Sequence, residues 1–262
     1  MMDLQEAVAI VTGSSSGVGA ACARQLAEAG CNVVINYSRN ADGAEAAAAA
    51  CREFGVETEV VRADVSVDED CRALVAAADA RWGRLDGLVN NAGTTKFCAH
   101  EDLDGLSGQD FLDIYGVNLV GPYQMARAAA PLMRRGGRGS IVNVASIAGV
   151  MGIGSSIAYA ASKGALITLG LSLARVLGPE IRVNTVCPGF IQGDWLAAGL
   201  GARDYERAKS WLENNVPLRQ TATADTVAEA ILHFLAGAGI VTGETLLLDG
   251  GQHLIQMPFA RR

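Results

Sequence analysis

The sequence predicts an α/β fold built as one doubly wound parallel sheet of seven strands, within a single domain that spans residues 1–262. Short runs rich in β-branched residues alternate with longer segments of helical periodicity, which is typical of repeated βαβ units. Most of these runs are continuously apolar, as expected for strands that helices cover on both faces. No repeat, linker or second apolar core interrupts the pattern.

The predicted strands leave room for a helix between successive members. An alanine run at 46–50, between the second and third strands, favours a helix because alanine has the highest helix propensity. After the fifth strand, leucines at helical spacing from Leu166 to Leu177 predict a helix over 155–177 that stops at Gly178-Pro179. The strands are predicted at 7–12, 32–37, 57–62, 85–90, 139–145, 181–186 and 244–249.

Composition and charge exclude several classes of partner. The chain carries 21 Lys and Arg against 28 Asp and Glu, with no basic run that would follow a phosphate backbone, so nucleic acid is not expected. No segment of about 18 consecutive apolar residues occurs, so no membrane association is expected. The N-terminus is acidic where a secretory signal would be basic, which favours a cytoplasmic location.

Cysteine and histidine usage predicts no metal site. The six cysteines are scattered without a C-x-x-C pair, and the three histidines do not pair at ligand spacing. Cys22, Cys51 and Cys71 fall within helical patterns, where cysteine packs as a small apolar residue.

The segment 190–218, after the sixth strand, departs from the alternation of strands and helices. It contains three glycines and a proline, and it holds two of the three tryptophans, Trp195 and Trp211. A long, irregular, partly helical insertion after a strand end predicts a mobile lid over a substrate site. A surface excursion that is packed for stability is the alternative.

The first strand leads into a glycine-rich turn at 12–19 and then directly into a helix. Glycines here permit positive φ and let a pyrophosphate approach the backbone and the helix N-terminus. The spacing is G-x-x-x-G-x-G rather than the G-x-G-x-x-G of many dinucleotide folds. Its position after the first strand of a βαβ unit predicts a Rossmann-type dinucleotide site.

The residues after the second strand bear on the choice between NAD(H) and NADP(H). Sites that prefer NAD generally place a carboxylate there for the ribose 2′-hydroxyl. This chain has Tyr37, Ser38 and Arg39 instead, and an arginine is suited to a 2′-phosphate. NADP(H) is therefore favoured, with NAD(H) as the alternative if Arg39 is merely solvated.

Two further strand ends are expected to contact the cofactor, since open α/β sheets bind ligands at the carboxyl ends of their strands. Asp64 and Val65 follow the third strand, where the carboxylate would lie near the adenine amino group. Asn91, Ala92 and Gly93 follow the fourth strand and are small enough to pass close to the cofactor ribose.

Tyr159 and Lys163 form the strongest candidate for chemistry. They are four residues apart on a predicted helix and therefore share one face. A lysine cation about 4–6 Å away would lower the tyrosine pKa from about 10 into a range suited to acid–base catalysis. Ser146, which precedes the tyrosine by 13 residues, could hold a carbonyl or hydroxyl oxygen against the phenol.

Taken together, these motifs resemble the ordered motif set of the short-chain dehydrogenase/reductase family. The resemblance runs from about residue 4 to residue 251, and its general pattern is most similar to the 3-oxoacyl-carrier-protein reductases. Its elements are the turn at 12–19, the Asn-Asn-Ala-Gly at 90–93, Asn118, Ser146, Tyr159-x-x-x-Lys163 and Pro188-Gly189.

The resemblance implies a role for each matching residue. Tyr159 would exchange the proton, Lys163 would lower its pKa and bind the nicotinamide ribose, and Ser146 would orient the substrate oxygen. Asn118 would help to hold a water in a proton relay that ends at Lys163. The implied cofactor-binding residues are Gly13, Ser15, Ser16, Gly17, Val18, Gly19, Tyr37, Ser38, Arg39, Asp64, Val65, Asn91, Ala92, Gly93, Tyr159, Lys163, Pro188, Gly189 and Ile191.

The resemblance to the family also implies an oligomeric state. The family usually forms a homotetramer, so the helices that contain Asn118 and Tyr159 are expected to be contact faces.

Two positions depart from the family pattern. Gly193 stands where the family often has a threonine that bonds the nicotinamide carboxamide, and Gln192, Asp194 or the backbone would have to substitute. Ser16 stands where many NADP(H)-preferring relatives carry a basic residue, which weakens the argument from Arg39.

The leading hypothesis is an NADP(H)-dependent carbonyl reductase or alcohol dehydrogenase that acts on a small molecule. One alternative is a 3-oxoacyl-carrier-protein reductase specifically, and another is a sugar or steroid dehydrogenase that uses NAD(H). A non-catalytic nucleotide-sensing protein is disfavoured because the whole catalytic set is present. The arginines that would meet an acidic acyl carrier protein are Arg127, Arg134, Arg135 and Arg175.

Overall fold

A computed structural model of the protein describes residues 3–255. In this part of the chain, seven strands pair in parallel in the order β3-β2-β1-β4-β5-β6-β7, which confirms the predicted sheet. Strands β1 to β3 are added towards one edge of the sheet and strands β4 to β7 towards the other. The strand order therefore reverses between β1 and β4, which is where doubly wound folds bind their ligands. The strands are β1 Val8–Val11, β2 Asn32–Tyr37, β3 Thr58–Arg62, β4 Gly87–Asn90, β5 Gly139–Val144, β6 Ile181–Pro188 and β7 Thr245–Leu248.

Helices cover both faces of the sheet. Successive residues of β1 point to opposite sides, so Ala9 packs with α1, α2 and α10 while Ile10 packs with α3, α5 and α7. The helices are α1 Gly17–Glu28, α2 Ala41–Arg52, α3 Asp68–Trp82, α4 Gly108–Tyr115, α5 Gly121–Arg135, α6 Ala148–Met151, α7 Ile157–Leu177, α8 Asp194–Leu200, α9 Ala202–Asn215 and α10 Ala224–Ala236.

The predicted strands and the predicted helix 155–177 are confirmed to within two residues at either end. The sixth strand runs two residues further than expected, because Pro188 at its end still pairs with Leu248 of β7. Proline is tolerated there since only its carbonyl oxygen is needed, and that oxygen accepts the N–H of Ile147 at 3.0 Å.

Helix α7 begins at a capped N-terminus. The buried Ser156 is the N-cap residue, and its hydroxyl accepts the backbone N–H of Tyr159 at 3.2 Å. Within the described residues, α7 is the one helix that is long and apolar enough to cross a membrane. It packs on β6, α6 and α4 in this fold, as the core helix of a globular domain does.

The predicted packing role of three cysteines is confirmed. Cys22, Cys51 and Cys71 are buried in α1, α2 and α3, and each is a free thiol. Burial raises the pKa of Cys51 to about 11 and that of Cys71 to about 12, so both remain neutral thiols at physiological pH.

The segment 190–218 is more regular than the sequence suggests. It forms two helices, α8 and α9, which meet at Gly201 with a φ of 78°. Leu212 and Val216 are buried and anchor the end of α9 against the domain. Pro217 packs against Gly251 after β7, where a Cβ would lie 2.7 Å from the proline ring.

Candidate active site

The glycine-rich turn connects β1 to the N-terminus of α1. Gly13 and Gly17 have φ values of 64° and 54°, in the left-handed region that favours glycine. A Cβ on Gly17 would meet no atom within 4 Å, whereas one on Gly19 would lie 2.4 Å from the Gly13 carbonyl oxygen. Since the first N–H groups of α1 have no acceptor within the helix, the turn is open towards an anionic ligand.

Asn36, a buried residue of β2 that the sequence analysis did not single out, fixes the shape of this turn. Its side-chain oxygen accepts the N–H of Gly13 at 2.9 Å, and its backbone oxygen accepts the N–H of Ser14 at 2.9 Å. Its side-chain amide donates to the carbonyl of Ala63 at 3.0 Å. One asparagine therefore ties together the ends of β1, β2 and β3.

The end of β2 presents two arginines rather than one. Tyr37, Ser38 and Arg39 lie at this end as predicted, and Arg39 is exposed. Arg62 pairs in register with Tyr37 from β3, and its Nε donates to the Ser38 carbonyl at 3.4 Å. Sequence reasoning missed Arg62, because only the strand register shows that it reaches this position.

Asp64 and Val65 lie at the carboxyl end of β3, as expected. The exposed Asp64 carboxylate accepts hydrogen bonds from the backbone N–H and the hydroxyl of Ser66, at 3.0 and 2.7 Å. Val65 is buried, and its carbonyl accepts the side-chain amide of Gln124 at 3.0 Å. The carboxylate is thus held in a defined orientation at the strand end.

Thr12 locks the end of β4 to the glycine-rich turn. Its hydroxyl accepts the N–H groups of Asn91 and Ala92, both at 3.0 Å, and donates to the Val89 carbonyl at 3.2 Å. The Asn91 amide donates back to the carbonyls of Thr12 and Gly13, at 2.9 and 3.1 Å. The two predicted cofactor segments therefore form one hydrogen-bonded unit.

Ser146 and Tyr159 meet beyond the end of β5. Burial of the phenol raises the pKa of Tyr159 to about 12, against the opposing effect of a hydrogen bond with Ser146. The Ser146 hydroxyl also lies 3.1 Å from the N–H of Ala148 and 3.4 Å from the Pro188 carbonyl oxygen. The serine is thus positioned from both sides and directed at the phenol.

Lys163 is buried one turn after Tyr159. Its ammonium donates to the Val144 carbonyl at 2.8 Å and lies 5.7 Å from the centroid of the tyrosine ring. Desolvation lowers the pKa of Lys163 to about 8. The prediction that lysine brings the tyrosine pKa down is wrong for this structure, because the ammonium bonds a backbone carbonyl and desolvation of the phenol outweighs any attraction.

Asn118 lies in a π-helical turn, Gly116–Val120, between α4 and α5. Its side-chain oxygen accepts the N–H of Thr94 at 2.8 Å, and its amide donates to the Thr94 carbonyl at 2.9 Å and the Ser162 hydroxyl at 3.0 Å. The Ser162 hydroxyl donates to the Tyr159 carbonyl at 2.7 Å. Such π-turns are frequent at functional sites, and this one connects Asn118 to the backbone of α7 through Ser162.

Gly93 separates Asn118 from Lys163. A Cβ on this glycine would lie 3.5 Å from both Asn118 Oδ1 and Lys163 Nζ. The absence of a side chain at residue 93 therefore keeps the gap between these two polar groups open to a small hydrogen-bonding molecule.

Pro188, Gly189 and Ile191 follow β6 at the same edge of the sheet. A Cβ on Gly189 would lie 2.8 Å from the Cβ of Asp249, so the close packing of β6 against the end of β7 requires glycine. Ile191 forms an isolated parallel bridge with Ala222, so the two ends of the segment 190–218 lie close together.

Gly193 is the residue of the segment 190–218 that departs from the family pattern. Its N–H donates to the Tyr205 hydroxyl at 3.2 Å, which ties α8 to α9. The side-chain amide of Gln192 is already used, since it donates to Thr221 at 3.0 Å. Of the substitutes for the missing threonine, only the exposed Asp194 carboxylate forms no hydrogen bond among the described residues, because the N–H groups of Gln192 and Gly193 are both in use.

Cys187 is a further neighbour of Tyr159 and Lys163. Burial raises the pKa of its thiol to about 11, with smaller opposing effects from the Ser146 backbone N–H and the Lys163 ammonium. The only signal in the sequence is its position directly before the Pro-Gly motif. A neutral thiol therefore lies beneath the Tyr159–Lys163 pair.

Two further aromatic side chains, Trp195 and Phe97, lie in a row with Tyr159. Trp195 of α8 has its ring centroid 6.3 Å from that of Tyr159 and 5.6 Å from that of Phe97, in the loop after β4. The sequence singled out Trp195 as part of a lid, but nothing in it placed Phe97 beside the site.

The arginines considered for a carrier protein are mostly paired within the domain. Arg127 bonds Asp68, Arg135 bonds Asp79, and Arg134 lies 3.7 Å from Glu180. Arg175 is exposed on α7. Three of the four therefore offer a neutralised rather than a basic surface.

Comparison with known proteins agrees with this geometry. The family described as enoyl-(acyl carrier protein) reductase matches residues 13–253. A granaticin polyketide synthase putative ketoacyl reductase 2 of Streptomyces violaceoruber is 43% identical over 248 residues, which cover 95% of this chain and 96% of the relative. The 3-oxoacyl-acyl-carrier-protein reductase FabG of Staphylococcus epidermidis is 34% identical over 249 residues, covering 94% and 98%.

A solved structure is similar over nearly the whole chain. A short-chain dehydrogenase/reductase from Burkholderia xenovorans, itself described as putative, superposes with a TM-score of 0.88 at 40% identity. The match covers 95% of this chain and 99% of that one.

Proposed function

The chain belongs to the short-chain dehydrogenase/reductase family, and we propose that it uses NADPH to reduce the ketone of a 3-oxoacyl-type substrate, with Tyr159 as the proton donor. Members of this family are oxidoreductases that use NAD(P)(H). Relatives named as ketoacyl and 3-oxoacyl reductases cover nearly the whole chain, which supports this substrate class.

The protonated Tyr159 phenol beside Ser146 and Lys163 carries the proposal. Burial raises the pKa of the phenol to about 12, so the phenol is protonated at neutral pH and can donate its proton to a substrate oxygen. That state suits reduction, in which the substrate oxygen gains a proton as its carbon gains a hydride. Ser146, already bonded to the phenol, would hold the same oxygen.

The residues of the glycine-rich turn fit a dinucleotide. The space beside Gly17 and the free N–H groups at the start of α1 suit a pyrophosphate. When bound, the nicotinamide cofactor supplies the hydride. Lys163 would hold the nicotinamide ribose, since its buried ammonium group lies one helical turn after Tyr159.

Asn118 and Lys163 would return a proton to the tyrosine after each turnover. The gap beside Gly93 lies between their polar atoms and suits one water, which would connect the site to solvent. The Lys163 pKa of about 8 is close enough to neutrality for the ammonium to give up and regain a proton.

Two arginines favour NADP(H) over NAD(H). Arg39 makes no hydrogen bond or ion pair with any residue between 3 and 255, and Arg62 uses only its Nε, on the Ser38 carbonyl. Two guanidinium groups without a carboxylate partner at the end of β2 suit a 2′-phosphate.

The surroundings of the site complete the proposal. Residues 190–218 would act as the lid over the substrate, and the protein would work in the cytoplasm. The acyl group would be presented on a small thioester or an acyl carrier protein, and a carrier would dock elsewhere than on the paired arginines Arg127, Arg134 and Arg135.

Replacement of Tyr159 by phenylalanine tests this function. The Tyr159→Phe variant lacks the proton donor but keeps the ring, so we expect kcat with a 3-oxoacyl thioester to fall by roughly 10²–10⁴-fold. NADPH affinity should stay within about twofold. The measurements are NADPH oxidation at saturating thioester and NADPH titration of protein fluorescence.

Tyr123→Phe is the matched control, because it removes a hydroxyl from an exposed tyrosine on α5. It should leave kcat unchanged. Turnover of Tyr159→Phe equal to that of the unsubstituted enzyme would refute the mechanism. Turnover of sugars or steroids with NADH, but not of any 3-oxoacyl thioester, would refute the substrate class.

A further inference from the structure

Trp195 stands at the mouth of the site with half of its surface free. It lies in the first turn of α8, and its ring is tilted by 52° to Phe97 and by 43° to Tyr159. Both centroid separations fall within the range of favourable aromatic pairs. The side chain is nevertheless 53% exposed, so an open indole surface lies directly beside the proton donor.

We propose that Trp195 is a specificity-determining residue, which selects ketones whose carbonyl carbon is attached to a flat, unsaturated ring system. The inference rests on the proposed function, since the ring is attached to the carbonyl group whose oxygen Tyr159 protonates. A substrate held by Tyr159 and Ser146 would lay this ring against the free part of the indole. Flat rings gain more from that contact than puckered ones, because aromatic pairs attract each other beyond the area they bury.

Several polar groups of the loop that carries Phe97 are already occupied. The Thr95 and Ser155 hydroxyls bond each other at 2.7 Å, and Lys96 pairs with Asp110 at 2.9 Å. The N–H of Cys98 donates to the Ser155 carbonyl at 2.9 Å. A substrate rich in hydroxyl groups would find few free partners here, and unpaired polar groups weaken binding.

Gly199 sets the position of the indole. A Cβ on this residue would lie 1.9 to 2.5 Å from three ring atoms of Phe97, so the phenylalanine ring rests directly on the backbone of α8. Gly199 is one turn after Trp195 in the same helix. Any side chain at 199 must displace either the helix or the Phe97 ring, against which Trp195 packs.

A matched pair of bicyclic ketones tests the proposal. 1-Tetralone and trans-1-decalone share a carbon skeleton, but only the former has an aromatic ring beside the carbonyl. We expect Trp195→Ala to lower kcat/KM for 1-tetralone by about tenfold, mainly through KM, and that for 1-decalone by less than about threefold. Trp195→Phe should recover most of the loss, because it restores an aromatic surface.

The Gly199→Ala variant provides an independent test. It keeps the indole but disturbs the Phe97 ring on which the indole packs, so KM for 1-tetralone should rise in the same direction while the Kd of NADPH stays constant. Gly108→Ala is the matched control, since a Cβ at the start of α4 meets no atom within 4 Å. It should leave both ketones unaffected.

Two results would overturn the role of Trp195. One is an equal loss for both ketones in Trp195→Ala, and the other is an unsubstituted enzyme that reduces saturated or open-chain ketones but not 1-tetralone. Absence of turnover with every ketone and thioester would instead contradict the proposed function, so the two failures are distinguishable.

Discussion

Arg39 and Arg62 reach the same end of the sheet from neighbouring strands, and they differ in how firmly they are held. Arg39 follows β2 without a partner among the described residues, while Arg62 is steadied by the Ser38 carbonyl. A long side chain without a partner loses conformational entropy when it binds, yet its charge is not already neutralised. Arg39 is therefore the residue on which discrimination between NADPH and NADH should depend most.

We predict that Arg39→Ala raises KM for NADPH by about tenfold, because a charge-assisted hydrogen bond to the 2′-phosphate is lost. KM for NADH should change by less than twofold, as NADH has no phosphate at this position. Initial-rate kinetics with both cofactors measure the two values. Arg72→Ala, on the exposed surface of α3, is the control. A lower KM for NADH than for NADPH, or an unchanged KM for NADPH in Arg39→Ala, would contradict the cofactor assignment.

The residues of the site show what a sequence can and cannot specify. Spacing alone brought Tyr159, Lys163 and Ser146 together correctly, because four residues make one helical turn and strand ends share an edge. The pKa of Tyr159 could not be inferred in this way. This pKa depends on how completely the fold excludes water from the phenol and on which acceptor the Lys163 ammonium bonds.

At the scale of elements, short runs rich in β-branched residues identified all seven strands, and most of these runs are continuously apolar because helices cover both faces of the sheet. Contacts between distant elements were beyond the same reasoning. Phe97 and Trp195 meet only because the loop after β4 and the helix after β6 emerge at one edge of the sheet. Asn36 was missed for a related reason, since a buried asparagine inside a strand has no pattern of its own.

Helix α7 provides a test at this scale, because its N-cap supports the turn that carries Tyr159. The Ser156→Ala variant removes the acceptor of the Tyr159 N–H, and cap loss costs about 1 kcal/mol. We expect Tm to fall by about 2–4 °C and kcat/KM to fall as well, because the first turn holds the phenol less firmly. Differential scanning calorimetry and NADPH oxidation measure the two effects.

Thr223→Ala is the matched cap deletion, since Thr223 accepts the N–H of Thr226 at 3.2 Å at the start of α10. It should lower Tm by a similar amount without lowering kcat/KM. If both variants lose activity equally, the effect of Ser156 is general destabilisation rather than support of Tyr159.

At the scale of the whole molecule, four apolar side chains are exposed on α5, on α7 and on the π-turn before α5, and we propose that they belong to one contact surface. Val120, Tyr123, Leu171 and Val176 are each between 44 and 66% exposed. The two helices are adjacent on the outside, because Arg134 of α5 donates to the Val176 carbonyl at 3.3 Å. Exposed apolar patches of this kind mark protein contacts, which supports the homotetramer proposed through the helices around Asn118 and Tyr159.

A charge placed in this surface tests the assembly. We expect the double substitution Val120→Glu and Val176→Glu to convert the tetramer into smaller species, because two carboxylates per subunit would have to be desolvated in each contact. Light scattering coupled to size exclusion measures the mass. Phe54→Glu is the control, with a side chain 43% exposed at the end of α2, outside this surface. Since Asn118 lies in the π-helical turn that leads into α5 and Tyr159 lies in α7, kcat should fall together with the mass. A tetramer that survives the double substitution would move the contact to another face of the molecule.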